Sequence, residues 1–350
     1  MMIVANRLKL TIEQLANAGV ETPRLDAEVL LAHVLGVGRA DLYCNLKRVL
    51  TDEEVDLFSS FVKRRVEKEP VAYITGVKEF WSLSIHVTPD VLIPRPETEG
   101  IVEQALKIYK KSPLPPFVKG GIGGILNCDP FSILDLCTGS GCVAAALATE
   151  FPNARIVATD ISPAAIEVAK YNLTFARNRV EFFIGNLFEV FHKSTPLKKS
   201  SLSVIASETK QSRGIATAPS GPRNDFFRGF ESLFTSHESP VTEKFDLITA
   251  NPPYIANDDF ETLSSDIRHY EPHLALIAGQ DGLAISKQII KDAPNYLKPG
   301  GVLIMEMGIN QARELQKYAE CIERYDEILV IKDYSGIERI LVTRTISPPL

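Results

Sequence analysis

Five short β-rich runs constrain this chain more than any other feature: FSILDL (131–136), RIVATD (155–160), VEFFIG (180–185), FDLITA (245–250) and GVLIME (301–306). The first four are separated by helix-length segments or by a long irregular stretch. Such alternation builds a mostly parallel sheet with helices on both faces, an α/β fold. Two further runs, near 326–332 and 338–344, are joined only by DYSGIE. That link is too short for a crossover, so an antiparallel hairpin is expected there.

Ahead of the first run the pattern is helical. Leu10, Leu15 and Ala18 recur at helical spacing and Gly19 offers a stop. Pro23 suits a second helix start, followed by an apolar stripe of Ala27, Leu30, Leu31 and Val34 up to Gly36. Thr51 and Glu54 form a capping box for a third long helix through Val66. Residues 1–72 therefore read as a helical domain, and 73–96 as a β-hairpin linker in which Phe80, Trp81, Leu83, Ile85 and Val87 are strand-like. Residues 97–350 form the larger domain, opening with a helix from Glu97 to Lys111. Two stretches, 112–130 and 192–240, lack any period and are expected to be disordered inserts, the second locally basic.

Composition narrows the function classes. With 45% hydrophobic and 23% charged residues the chain has an ordinary globular balance. Its 38 basic and 44 acidic residues give a net charge of −6, which disfavours a protein that coats nucleic acid. No apolar run approaches the roughly 20 residues of a membrane helix, and the start MMIVANRLKL does not read as a secretory signal. The five cysteines (Cys44, Cys128, Cys137, Cys142 and Cys321) are scattered, without the spacing of a disulfide framework or a metal site. A cytoplasmic, metal-free monomer without membrane attachment is the expectation.

The chemistry gathers at the ends of the strands. The first large-domain strand runs into Asp135-Leu136-Cys137-Thr138-Gly139-Ser140-Gly141, where two glycines at a strand-to-helix turn let backbone approach a ligand. Asp160 closes the second strand, where a carboxylate accepts hydrogen bonds from ribose hydroxyls. Asn186 and Leu187 follow the third, placed to meet a base. Together these point to a nucleoside-containing cofactor without saying which one. After the fourth strand stands Asn251-Pro252-Pro253-Tyr254. Two prolines fix the φ angles and remove two N–H donors. The asparagine oxygen and the Pro252 carbonyl then both accept from one planar NH2 group, and Tyr254 stacks on the plane that carries it. An amide or an exocyclic amine fits such a clamp.

These motifs, with PRLDAEVLLAHVLG, GVKEFWSL and LIPRPETE, resemble the bacterial release-factor glutamine methyltransferases over nearly the whole chain apart from the two inserts. The resemblance implies a class I methyltransferase, Rossmann-like sheet of seven strands, and a helical domain that helps hold the release factor. It implies S-adenosyl-L-methionine as cofactor and the glutamine of the Gly-Gly-Gln motif of peptide-chain release factors as substrate. Cofactor binding then falls to Asp135, Cys137, Thr138, Gly139, Ser140, Gly141, Asp160, Asn186, Leu187 and Asn251. The reacting amide falls to Asn251, Pro252, Pro253 and Tyr254. Cys137 stands where the family usually has glycine, and fits at little cost if its φ is negative. Asn186 stands where the family usually has aspartate, and keeps one acceptor without the charge.

NPPY also serves adenine-N6 and guanine-N2 nucleic-acid methyltransferases, which makes those the runner-up reading. A non-catalytic adaptor that binds the same cofactor is the alternative of a different class. His86, His269 and His273 are available as bases, but no dedicated general base is assigned.

Overall fold

The computed structural model describes residues 2–110, 130–191 and 244–347. The expected inserts at 112–130 and 192–240 lie outside the described residues, apart from Pro130. Met1–Leu187 and Lys244–Leu350 form one compact unit, treated below; Phe188–Glu243 is a second, of which only a short 3-10 stretch is described.

The helical start comprises α1 (Val4–Asn17), α2 (Pro23–Leu35), α3 (Asp41–Cys44), α4 (Asp52–Val66) and α5 (Val71–Thr75). Its core is built from Leu15, Ala27, Leu30, Leu31 and Phe58, all fully buried. Pro23 opens α2, and Gly36 closes it in the left-handed region. The capping box is formed as expected: Thr51 Oγ1 accepts from Glu54 N at 3.2 Å, and Thr51 N donates to Glu54 Oε2 at 2.9 Å.

A two-stranded hairpin follows, β1 (Val77–Phe80) and β2 (Leu83–His86). Trp81 departs from its expected strand conformation. With Ser82 it makes the two-residue turn, both at positive φ (53° and 58°). Left-handed backbone costs a non-glycine residue about 1–2 kcal/mol, and side-chain anchorage offsets that here. Trp81 N donates to Glu99 Oε1 at 2.8 Å and its indole Nε1 to Glu150 Oε1 at 2.9 Å. The next helix, α6 (Glu99–Tyr109), begins two residues later than expected because Pro96–Thr98 take a 3-10 turn.

The main sheet has seven strands in the order β5-β4-β3-β6-β7-β9-β8. They are β3 (Ser132–Leu136), β4 (Arg155–Asp160), β5 (Val180–Ile184), β6 (Phe245–Ala250), β7 (Leu297–Glu306), β8 (Tyr325–Lys332) and β9 (Glu338–Thr345). The first five in spatial order run parallel, while β9 is antiparallel to both neighbours. The expected terminal hairpin is therefore present. Between β3 and β4 packs α7 (Cys142–Glu150), whose Ala144, Ala145, Ala146 and Leu147 are all fully buried. Small side chains suit a helix enclosed on most of its surface. After β4 comes α8 (Pro163–Asn172). The chain leaves β3 toward β4 on one side and returns as β6 on the other, which opens a crevice at the carboxyl ends of these strands.

Two side-chain links hold outlying segments. Arg65 of α4 is 8% exposed, and its Nε donates to Asp26 Oδ2 at 2.6 Å while Nη1 donates to Asp266 Oδ2 at 2.9 Å. The helical start is thus tied to the helix Ser265–Tyr270, which follows β6 in the chain. Removing one partner of such a buried group strands the opposite charges, at a cost of about 3–5 kcal/mol. Arg65→Leu is accordingly expected to lower the unfolding free energy by about 3 kcal/mol; denaturant titration measures it, and an unchanged midpoint would contradict the assignment. The second link is aromatic: Tyr109 at the end of α6 and Phe131 at the entry to β3 have ring centroids 4.7 Å apart. Tyr109 also donates its hydroxyl to the Asp246 carbonyl at 2.6 Å.

Candidate active site

A cavity of about 170 Å³ occupies the crevice at the carboxyl ends of β3, β4, β5 and β6. Nine of the ten residues assigned to the cofactor line it: Asp135, Cys137, Thr138, Gly139 and Ser140 on the first loop, Asp160 on the second, Asn186 and Leu187 on the third, and Asn251 on the fourth. Gly141 is the tenth and has another task. At φ 76° it caps α7, and a Cβ there would come within 3.0 Å of Ala169 Cβ and Leu173 Cδ1. It lets two helices approach closely, which shapes the loop without lining the cavity.

The first loop is bound on three sides. Thr138 N donates to the Thr159 carbonyl and Gly139 N to Asp160 Oδ2, at 3.0 and 2.9 Å. Asn172, at the end of α8, donates from Nδ2 to the Ser140 carbonyl at 2.8 Å and to the His86 carbonyl at 2.9 Å, joining the loop to β2. Cys137 does not meet the condition of a negative φ. Its φ is +54°, so it occupies the left-handed region that glycine adopts freely. Cys137→Gly is expected to stabilise the fold by about 1 kcal/mol and to raise Tm by roughly 2 °C. A scanning calorimeter measures this, and a lowered Tm would show that the thiol's packing outweighs the strain.

Two acidic side chains set the potential of the cavity. Asp135 is 2% exposed and accepts from Thr138 Oγ1 at 2.6 Å and Thr249 Oγ1 at 2.7 Å. Both partners are neutral hydroxyls, and burial pushes its pKa up to about 6. Asp160 accepts backbone N–H groups of Ser162 and Gly139, each at 2.9 Å, and burial also raises its pKa. Backbone N–H groups of Ala144 and Ile161 add a third donor to Asp135 and Asp160 respectively, which leaves each carboxylate one of its roughly four acceptor sites for a ligand. Arg95 reaches the same cavity, but its guanidinium is engaged by the buried carboxylate of Glu271 at 2.5 Å. This set of acceptors suits a ligand with hydroxyls and a positive charge.

The NPPY segment divides its roles. Asn251 and Pro253 line the cavity; Pro252 and Tyr254 do not. Pro252 and Pro253 are both buried. Tyr254 donates its hydroxyl to Glu306 Oε1 at 3.4 Å, and its carbonyl accepts from Gln311 Nε2 at 2.8 Å. Asn251 Nδ2 donates to Thr98 Oγ1 at 3.1 Å, and Thr98 donates to Glu306 Oε2 at 2.6 Å.

Comparison with known proteins gives the geometry its family. Residues 7–76 match the model described as PrmC N-terminal domain, and residues 133–211 match that of a methyltransferase domain. The release factor glutamine methyltransferase of Geobacter sulfurreducens is 35% identical over 328 residues, spanning 93% of this chain and 91% of that protein. That of Coxiella burnetii is 36% identical, spanning 93% and 92%, and that of Rhodopirellula baltica 33%, spanning 97% and 95%. The chain belongs to the release factor glutamine methyltransferase family. Its sheet is that of a class I methyltransferase, and among the described residues no helix is long and apolar enough to cross a membrane.

In this release factor glutamine methyltransferase relative, several residues that sequence reasoning passed over support the site. Gln311 bridges three segments, donating to the carbonyls of Tyr254 and Gly282 and accepting from Gly308 N. A Cβ on Gly282 would lie 2.4 Å from the Tyr254 carbonyl oxygen, so only glycine permits that approach. Thr98 lies in RPETE, a motif the resemblance marked without a role. None of His86, His269 and His273 lines the cavity; the rings of His269 and His273 lie against the carbonyls of Ser265 and Arg268.

Proposed function

We propose that this chain methylates the side-chain amide nitrogen of the glutamine in the Gly-Gly-Gln motif of peptide-chain release factors, with S-adenosyl-L-methionine as donor. The observation that carries the reading is Asn251, followed by two prolines, at the edge of a cavity lined by acidic side chains. The relatives named for this activity match the chain along nearly their full length. That favours a glutamine amide over the adenine and guanine amines that NPPY also suits.

S-adenosyl-L-methionine, when bound, supplies a sulfonium-linked methyl group open to displacement. Asp160 would accept from its ribose hydroxyls, Asn186 and Leu187 would meet its base, and the charge of Asp135 would favour its cationic portion. The Asn251 Oδ1 and the Pro252 carbonyl would accept both hydrogens of the substrate NH2 and hold its nitrogen in line with the methyl. An amide nitrogen is a weak nucleophile because its lone pair is delocalised. Holding it as it pyramidalises concentrates that pair on nitrogen, orientation supplies most of the rate, and the nitrogen gives up one of its two protons during or after transfer, leaving a neutral thioether. Tyr254 in this reading contributes from the edge of the clamp. Residues 1–72 serve as the docking domain for the release factor, 73–96 as its linker and 97–350 as the catalytic domain.

The test is incubation of the purified chain with a release factor and S-adenosyl-L-methionine, followed by mass spectrometry of the Gly-Gly-Gln peptide. One added methyl on the glutamine is expected. Methyl transfer to DNA or RNA adenine or guanine instead, with none to the release factor, would replace this reading by its rival. Cofactor binding without any transfer would favour the adaptor.

A further inference from the structure

Thr98 and Glu306 lie 208 residues apart in the chain, yet meet at a buried hydrogen bond of 2.6 Å directly beside Asn251. Glu306 ends β7 and is 1% exposed. A carboxylate so enclosed is costly to keep unless its oxygens are satisfied. Here Thr98 donates to Oε2 and Tyr254 to Oε1.

The direction of this chain of bonds has a consequence for the clamp. An ionised carboxylate only accepts. Thr98 has one hydroxyl proton, which it donates in the hydrogen bond to Glu306. Toward Asn251, Thr98 can then only accept, so the amide must turn its NH2 end to Thr98, as it does at 3.1 Å. The two ends of an asparagine amide are alike in shape and are told apart only by such partners. With Nδ2 engaged, Oδ1 is the end left for a substrate NH2.

We propose that Thr98 and Glu306 are positioning residues that fix which end of the Asn251 amide faces the substrate. The assignment rests on the clamp described under Proposed function and adds to it the device that sets its polarity. Burial pushes the Glu306 carboxyl up to about 7. The groups facing it are the hydroxyls of Thr98 and Tyr254 and the charge of Arg339, which favour ionisation, the charge of Glu97, which opposes it, and the buried thiol of Cys142, whose own pKa Glu306 helps to raise. Below that pH the protonated carboxyl donates to Thr98, Thr98 turns its proton toward Asn251, and the amide is driven to the reverse orientation. Activity therefore rises with pH through this range.

The experiment compares wild type, Thr98→Val, Thr98→Ser and Glu306→Gln for methylation of a release factor across pH 5.5–8.5, a range spanning roughly 1.5 units either side of a titration near 7. Calorimetry measures S-adenosyl-L-methionine binding to each, and thermal unfolding checks folding. Thr98→Val, nearly equal in volume but without a hydroxyl, should lose about tenfold or more in kcat with cofactor affinity within about threefold. Thr98→Ser restores the hydroxyl and should recover most of the rate. Glu306→Gln removes the charge and should abolish the rise centred near 7. Asp135, which titrates near 6, is common to all four proteins, so the difference between profiles isolates Glu306. The assignment is overturned if Thr98→Val keeps kcat within about twofold, if Thr98→Ser is as impaired as Thr98→Val, or if Glu306→Gln keeps the wild-type profile. The Thr98 pair decides the matter should Glu306→Gln not fold. A wild-type chain that leaves the release factor unmodified overturns the proposed function and this assignment together, whereas methylation by wild type with indifferent variants overturns this assignment alone.

Discussion

Asn251→Ala is expected to reduce methylation of a release factor by roughly 10²–10³-fold, while S-adenosyl-L-methionine binds within about threefold of its wild-type affinity. The side chain is held by Thr98 at 3.1 Å and borders the cavity, so its loss removes an acceptor already set in place. Such preorganised groups act on the transition state more than on the ground state, and their removal appears in kcat. The cofactor keeps the first loop, Asp160 and Leu187, none of which bonds Asn251. Steady-state transfer of a labelled methyl group, with calorimetry of the cofactor, separates the two effects. Turnover within about threefold of wild type would remove Asn251 from the clamp.

Asp160→Ala is expected to weaken cofactor binding by roughly 10–100-fold. Each charge-assisted hydrogen bond to ribose is worth about 1.5–3 kcal/mol, and about 1.4 kcal/mol is tenfold in affinity. The structure adds a second cost. Asp160 also accepts from Gly139 N and Ser162 N, so the alanine variant frees the first loop and the turn after β4 together. Asp160→Asn keeps one acceptor oxygen and should fall between alanine and wild type. Unchanged affinity in both variants would exclude this carboxylate from the cofactor site.

How much of this was legible depends on the range of the interaction concerned. The strands β3 to β7 and the closing hairpin stand out because apolar, β-branched runs carry their own signal over five or six residues. The first loop is equally local, with Asp135 and two glycines within seven positions. The hydrophobicity of Trp81 suggests a strand, while its place is decided by Glu99 and Glu150, 18 and 69 residues away. The sign of φ at Cys137 follows from the path of the loop, which composition does not express. Thr98, Asn172, Glu306 and Gln311 were illegible for the same reason. A threonine in RPETE and a glutamate ending a strand look ordinary until the fold brings them together behind Asn251.

The Tyr109–Phe131 contact bears on how this chain tolerates foreign sequence. The two rings hold the end of α6 against the entry to β3 whatever lies between them, because both flanks are independently packed. When the ends of a segment are fixed in this way, doubling its length costs only about 0.6 kcal/mol. The entry to β3 is the opposite end of that strand from Asp135 and the cavity beyond it. A fluorescent protein or an affinity handle spliced between Tyr109 and Phe131 would enter at the end of the sheet away from the cavity.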